Sequence, residues 1–253
     1  GSSPMLFGDL FVVHVDGRDV QYVIALDKLT GKTVWKTDRS IDFSRYEAYQ
    51  RKGYCMPTVV PRGEAKQLVS PGPKALVSYD PTTGKELWKA RHEGWSMAPR
   101  PLYGHGLVFA VIDYDHPELW AVRPDGNGDV TDTHIAWKIT KTIPSRPSFL
   151  LVDDHLYLVN SDGIASCVEA KTGEVVWKER IAGKYSASPL YADGKIYFFS
   201  ELGVTTVIKA APTFEVLSTN TLDEQQLSAS PAAADDALFI RTESYLYRVE
   251  NRR

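Results

Sequence analysis

Apolar residues in this chain come in short runs cut by Gly, Asp, Asn and Pro. Leu10–Val15, Tyr22-Val-Ile-Ala-Leu26, Ala75-Leu-Val-Ser-Tyr79, Ile164-Ala-Ser-Cys-Val168 and Val204-Thr-Thr-Val-Ile208 are examples. They are rich in β-branched and aromatic residues, and none keeps a helical period, so they predict strands. One polar punctuation recurs: Asp27-Lys-Leu-Thr-Gly-Lys-Thr-Val-Trp35, Asp80-Pro-Thr-Thr-Gly-Lys-Glu-Leu-Trp88 and Glu169-Ala-Lys-Thr-Gly-Glu-Val-Val-Trp177. In each, the acid oxygen is set to accept from backbone N–H groups two or three residues on, and Gly supplies a positive φ. Each copy therefore predicts strand, tight turn, strand. A Trp at a fixed offset predicts a structural aromatic packing one sheet on the next, and Trp35, Trp88, Trp137 and Trp177 form that series.

A second marker runs beside the first. Pro4, Pro57, Pro99, Pro147, Pro189 and Pro231 each follow a small or polar residue or Met. Two markers sharing a period of about 40 to 50 residues predict a propeller or solenoid. Each period holds four strand-like runs, which makes it a β-propeller blade. The expected fold is all-β: one domain over 1–253, a β-propeller of four-stranded antiparallel blades. About six blades are present, near 2–39, 54–91, 96–140, 145–181, 185–222 and 227–253. Blade 5 has a degenerate turn at Ala211–Phe214 with Leu217 at the Trp position, and blade 6 lacks its outer strand. On this reading the chain is a fragment of a seven- or eight-bladed propeller, and its open edge is a site for self-association. Two blades are expanded, one by the polar stretch Arg39–Gly53 and one by Arg123–Asp132.

Charge and composition narrow the function. A net charge of −3 with Lys and Arg scattered among acids excludes nucleic acid as a partner. No apolar stretch is long enough to cross a bilayer. Cys55 and Cys167 lie in different blades and predict buried free thiols. The six histidines are dispersed and predict surface or turn positions. No Gly-x-Ser-x-Gly, His-Glu-x-x-His or phosphate-binding Gly loop occurs.

The unit Ala-x-Asp-x-x-Thr-Gly-x-x-x-Trp resembles the pyrroloquinoline-quinone (PQQ) repeat of quinoprotein-dehydrogenase-like propellers. The match is close at 25–35, 78–88 and 167–177, with Ser78 and Cys167 in place of Ala. Gly94–Pro101 and Trp120–Gly126 look like the exported PQQ-like repeat proteins of planctomycete-type bacteria. The same repeat occurs in the propeller lipoprotein of the outer-membrane β-barrel assembly machinery, a scaffold without cofactor. The resemblance thus implies either an enzyme or a scaffold. Quinoprotein dehydrogenases add adjacent cysteines, a stacking Trp, a catalytic Asp and bound Ca²⁺; here no adjacent cysteines occur, and no catalytic residue is assigned.

Candidate binding residues come in two position-matched sets. Tyr54, Trp95, Arg100, Arg146 and Tyr185 flank the innermost strands. Asp16, Asp113, Asp115, Asp162, Glu201 and Glu243 stand in turns between second and third strands. Aromatics with Arg suit a glycan, peptide or organic anion. Asp125, Asn127 and Asp129 have the alternating oxygens of a Ca²⁺ loop, but Val130 replaces its Gly and Ala136 its Glu; an acidic hairpin turn is the plainer account. The expectation is a non-catalytic binding or scaffold propeller, periplasmic or otherwise extracytoplasmic, without cofactor, engaging a protein or glycan. The alternative is a PQQ-dependent oxidoreductase.

Overall fold

The computed structural model describes residues 2–222 and 226–250; residues 251–253, the end of the sixth predicted blade, lie outside them. The chain divides into two compact units, residues 1–141 and 142–253.

The first unit holds three sheets. Strands β1 (Met5–Phe7), β2 (Leu10–Asp16), β3 (Gln21–Asp27) and β4 (Thr33–Asp38) form a meander in chain order. Strands β5 (Thr58–Arg62), β6 (Ala65–Gly72), β7 (Ala75–Tyr79) and β8 (Glu86–Arg91) repeat it. The third sheet contains β9 (Leu102–Gly104), β10 (Leu107–Ile112) and β11 (Glu118–Val122). The short β12 (Gly128–Asp129) then intervenes, and β13 (Ile135–Ile139) closes the third sheet. In the second unit, β14 (Leu150–Val152), β15 (His155–Val159), β16 (Ile164–Glu169) and β17 (Val175–Arg180) make one sheet. Strands β18 (Leu190–Ala192), β19 (Lys195–Phe199), β20 (Val204–Lys209) and β21 (Val216–Thr221) make the next. The last described sheet has three strands, β22 (Ala232–Ala234), β23 (Ala237–Arg241) and β24 (Leu246–Glu250). Apart from the parallel β12 and the three strands of the last sheet, these are the antiparallel four-stranded blades that the periodicity predicts.

Within each unit, successive sheets pack face to face. Val12, Val23 and Trp35 meet Leu68, Val77 and Tyr79; Val69, Leu76 and Trp88 meet Val108, Ala110 and Trp120. In the second unit Tyr157 and Cys167 meet Phe198 and Ile208.

The repeat signature has a direct physical cause. In the turns, Asp27 Oδ1 accepts from the Thr30 N–H at 2.7 Å, Asp80 Oδ1 from the Thr83 N–H at 2.8 Å and Glu169 Oε2 from the Thr172 N–H at 2.6 Å. Before each turn a β-bulge shifts the register. Just ahead of the bulge, Ala25 pairs with Trp35, Ser78 with Trp88, Ala121 with Trp137 and Cys167 with Trp177. The small residue of the signature thus stands directly opposite the Trp and makes room for the indole. Trp35, Trp88 and Trp177 each latch onto the following sheet. Trp35 Nε1 donates to the Pro81 carbonyl at 3.0 Å, and its ring lies where a Cβ on Gly84 would be, 2.4 Å from that position. Trp177 packs against Phe214 at 5.0 Å between ring centroids and donates to the Ala211 carbonyl. Trp88 reaches its neighbour by relay. Its Nε1 donates to Gln67 Oε1 at 2.7 Å, and Gln67 Nε2 donates to the Pro124 carbonyl at 2.7 Å.

Four expectations need correction. Gly128-Asp129 does not cap a hairpin: it is strand β12, added in parallel to the outer edge of β8, with Val130 buried beside Trp88. The Trp position of the fifth sheet is Ser218, not Leu217, because Ser218 pairs with Val207; the small and large partners have changed places. The Pro marker mixes two sites. Pro4, Pro57, Pro189 and Pro231 immediately precede the first-strand residues Met5, Thr58, Leu190 and Ala232, whereas Pro99 and Pro147 stand three residues before Leu102 and Leu150. Positions two apart point their N–H the same way along a strand, so both tolerate Pro. Finally, Arg39–Gly53 is not wholly a surface loop. Arg39 and Ile41 are buried, and Phe43 and Tyr46 pack on the core.

Candidate functional site

Three predicted residues of the first unit converge at one end of its sheets. The connection 92–97 between the second and third sheets is held from three sides. The Ser96 N–H donates to the Lys52 carbonyl at 2.7 Å, the Tyr54 N–H to Met97 at 3.0 Å and the Lys74 N–H to Gly94 at 3.0 Å. Asp113 caps it, accepting from the N–H groups of Tyr114 at 2.7 Å and Trp95 at 3.4 Å. Gly94 is required here, since a Cβ would sit 2.6 Å from that of Asp113. Tyr54, Trp95 and Asp113 therefore share one cluster. Arg100 is exposed nearby in the chain.

A cation that the sequence pattern did not single out fills the centre of this cluster. Lys74 Nζ lies 4.3 Å from the Tyr46 ring centroid and 4.8 Å from that of Trp95, and donates to the Glu93 carbonyl. Tyr49 packs edge-on against Trp95 at 5.9 Å. Burial lowers the Lys74 pKa, opposed by Glu93 and Asp113. Lys74 has φ 69°, and no residue-type pattern in Pro73-Lys74 announces such a turn in a non-Gly residue. Tyr54, 38% exposed, stays open to solvent at the rim.

Beneath this end lies a buried ion pair. Asp16, expected in a binding turn, is instead spent on Arg39: both side chains are fully buried, with bonds of 2.7 and 2.8 Å. Arg39 Nη2 also donates to Ser70 Oγ, which contacts His14 Nδ1 at 2.8 Å. His14 and His92 are therefore core residues, not the surface residues expected; His105 and His116 are exposed. Burial pushes the His14 pKa down to about 4 and that of His92 to about 3, so both rings are neutral at pH 7. His92 Nδ1 accepts from the Gly94 N–H, which leaves its ring proton on Nε2.

In the second unit, Arg146 and Glu201 come together 4.0 Å apart, joined through Ser186, which donates to Glu201 and accepts from Arg146. Tyr185 does not join them. It is fully buried in the core, its hydroxyl bonded to the Ala182 carbonyl and its pKa raised to about 12 by burial. Asp162 and Glu243 are exposed turn residues; Arg180 and Arg241 grip their main-chain carbonyls.

The suggested calcium turn does not fit that ion. Asp129 is taken by Arg91 at 2.7 Å and by Thr131, and Asn127 Oδ1 accepts from Arg62 at 2.8 Å. Among the described residues no group of three His, Cys, Asp or Glu side chains is placed to hold a metal ion. Cys55 and Cys167 are buried free thiols, both with pKa raised by burial, Cys167 to about 11. Neither supplies the adjacent pair associated with the quinone.

Comparison with known proteins completes the description. A family model described as outer membrane protein assembly factor BamB matches residues 19–252. No curated protein matches the chain. Among solved structures, BamB from Moraxella catarrhalis superposes with a TM-score of 0.67 at 15% identity, covering 94% of this chain and 68% of its own. A computationally designed protein, Ika8, gives 0.70 at 12% identity, over 98% and 69% of the two chains. Quinohemoprotein alcohol dehydrogenase from Comamonas testosteroni gives 0.65 at 12% identity; the match covers 87% of this chain but 42% of the enzyme. These likenesses share the β-propeller fold. No helix among the described residues is long and apolar enough to cross a membrane.

Proposed function

The chain belongs to the family of the outer membrane protein assembly factor BamB, and from that premise we propose that it is a non-catalytic scaffold, held outside the cytoplasm, that binds another protein. The observation that carries this reading is the extent of the family match, residues 19–252. The chemistry of the repeat is compatible with it. Its acids, glycines and tryptophans are used up in turns and sheet-to-sheet latches, which serve a scaffold and an enzyme equally and need no quinone. The partner site is placed at the end of the first unit bearing Tyr54, Trp95 and Asp113. There a protein is favoured over a glycan, because Lys74 and Tyr49 already occupy the Trp95 ring that a sugar would stack on.

A second reading, PQQ-dependent oxidation, draws on the quinohemoprotein likeness. Titration calorimetry of the full-length protein with PQQ and Ca²⁺ separates the two. The scaffold reading expects no saturable heat and no reduction of a dye acceptor by alcohols. One-to-one binding with dye reduction would replace it with the oxidoreductase.

A further inference from the structure

The insertion that replaces the short repeat turn in the third sheet builds a groove at the opposite end of the first unit. The groove has a volume of about 410 Å³ and is lined by Pro61, Arg62, Tyr103, Arg123, Pro124 and Asp125. That volume falls within the range of ligand clefts. We infer that this groove binds an acidic, extended peptide segment of a protein partner, an inference that rests on the scaffold reading above.

Arg62 Nη2 donates to the Gly126 carbonyl at 2.9 Å and to Asn127 Oδ1 at 2.8 Å, and its Nη1 to the Pro124 carbonyl at 3.3 Å. Arg123 Nη2 donates to the Thr133 carbonyl. All four acceptors are uncharged. Arg39 and Arg91 of the same unit, by contrast, face the carboxylates of Asp16 and Asp129. The backbone of the insertion thus holds two cations in place without neutralising either. Asp125, the one carboxylate of the lining, lies 3.6 Å from His134 Nε2. A ligand carboxylate supplies the missing charge and meets guanidinium groups already held in place, so little side-chain freedom is lost on binding. Pro61, Tyr103 and Pro124 add apolar and aromatic wall, which a peptide uses through a neighbouring apolar side chain and a bare inorganic anion does not. Of this surface the Pro61 and Pro124 carbonyls serve the repeat latch, both accepting from Gln67 Nε2; the arginine side chains and the Tyr103 ring do not.

The test is fluorescence anisotropy of the full-length protein with a fluorescein-Gly-Asp-Phe-Glu-Asp-Gly-amide peptide, labelled at its N-terminus. A second peptide carries Asn and Gln in place of the acids. The acidic peptide is expected to bind, the amide peptide about tenfold more weakly, and raising salt to roughly 0.5 M to weaken the acidic complex. Arg123→Glu, at an exposed position, should abolish binding while keeping the melting temperature. Phosphate at millimolar concentration should not displace the peptide. Equal binding of the two peptides, no binding of either, or full binding to a folded Arg123→Glu protein would overturn the groove assignment. So would displacement by phosphate, which marks a plain anion site. The scaffold reading is judged separately by the PQQ titration: quinone binding with peptide binding removes the scaffold and leaves the groove, whereas neither binding removes the groove alone.

Discussion

At the scale of single residues, Trp35, Trp88 and Trp177 are the side chains that tie one sheet to the next. Trp35 fills the space over Gly84, bonds the Pro81 carbonyl and is 7% exposed. Truncating such an aromatic removes its burial and leaves a cavity. Trp35→Ala is expected to cost about 3–5 kcal/mol, read as a lowered urea midpoint, whereas truncating exposed Leu29 should change it by less than about 0.5 kcal/mol. The buried histidines give stability a pH dependence. Burial lowers His14 to about 4, with Asp16 opposing and Arg39 adding to the effect. The unfolded chain takes up this proton near pH 6.5 and the folded chain only near 4, so the stability it reflects is full above pH 6.5 and falls as the pH drops from there toward 4. The loss by pH 4 is on the order of 3 kcal/mol. Denaturation of the His14→Gln variant between pH 7.5 and 4.5 should show a shallower slope than the parent; an equal slope would dismiss the assignment. Asp27, lowered first by the Thr30 side chain and then by backbone N–H bonds, adds a further loss at lower pH.

Among elements, the sheets are unequal, and the residues say where. The fifth sheet has Ser218 opposite Val207 in place of Trp opposite a small residue, and all of β21 is exposed. In the last described sheet Arg248 pairs with Phe239, the site that Ala25, Ser78 and Cys167 hold elsewhere. Its strands β22 and β24 are mostly exposed, and the cluster beneath is small. Amide hydrogen exchange should therefore run fastest in β22–β24 and slowest in β6, β7 and β10, whose residues are almost wholly buried. Comparable protection throughout would contradict this. The same contrasts explain what the sequence made legible. Strands, turns and the pairing of each Trp with the small residue ahead of its turn are local, so alternation, Asp-x-x-Thr-Gly and fixed offsets declared them. The parallel addition of β12 to β8 joins residues about forty apart through backbone bonds, and backbone bonds carry no side-chain signature. Lys74 was equally silent, because its cage of Tyr46 and Trp95 is assembled from two different connections. The Asp16 carboxylate was legible as a turn acid, but its buried partner Arg39 lies at the start of a stretch that otherwise reads as polar loop.

For the whole molecule, the account is that a repeat built for latching sheets presents two decorated ends in its first unit. One carries Tyr54, Trp95 and Asp113 around an internal lysine, and the other carries the arginine groove. The most direct measurement of the scaffold claim is site-specific photo-cross-linking from position 54, where Tyr54 is exposed at the rim, in cells that make the full-length protein. The account predicts one discrete protein adduct, absent when the photoreactive residue is moved to Leu29, whose side chain is exposed in a repeat turn away from that cluster. No adduct from position 54, or the same adducts from both positions, would contradict it.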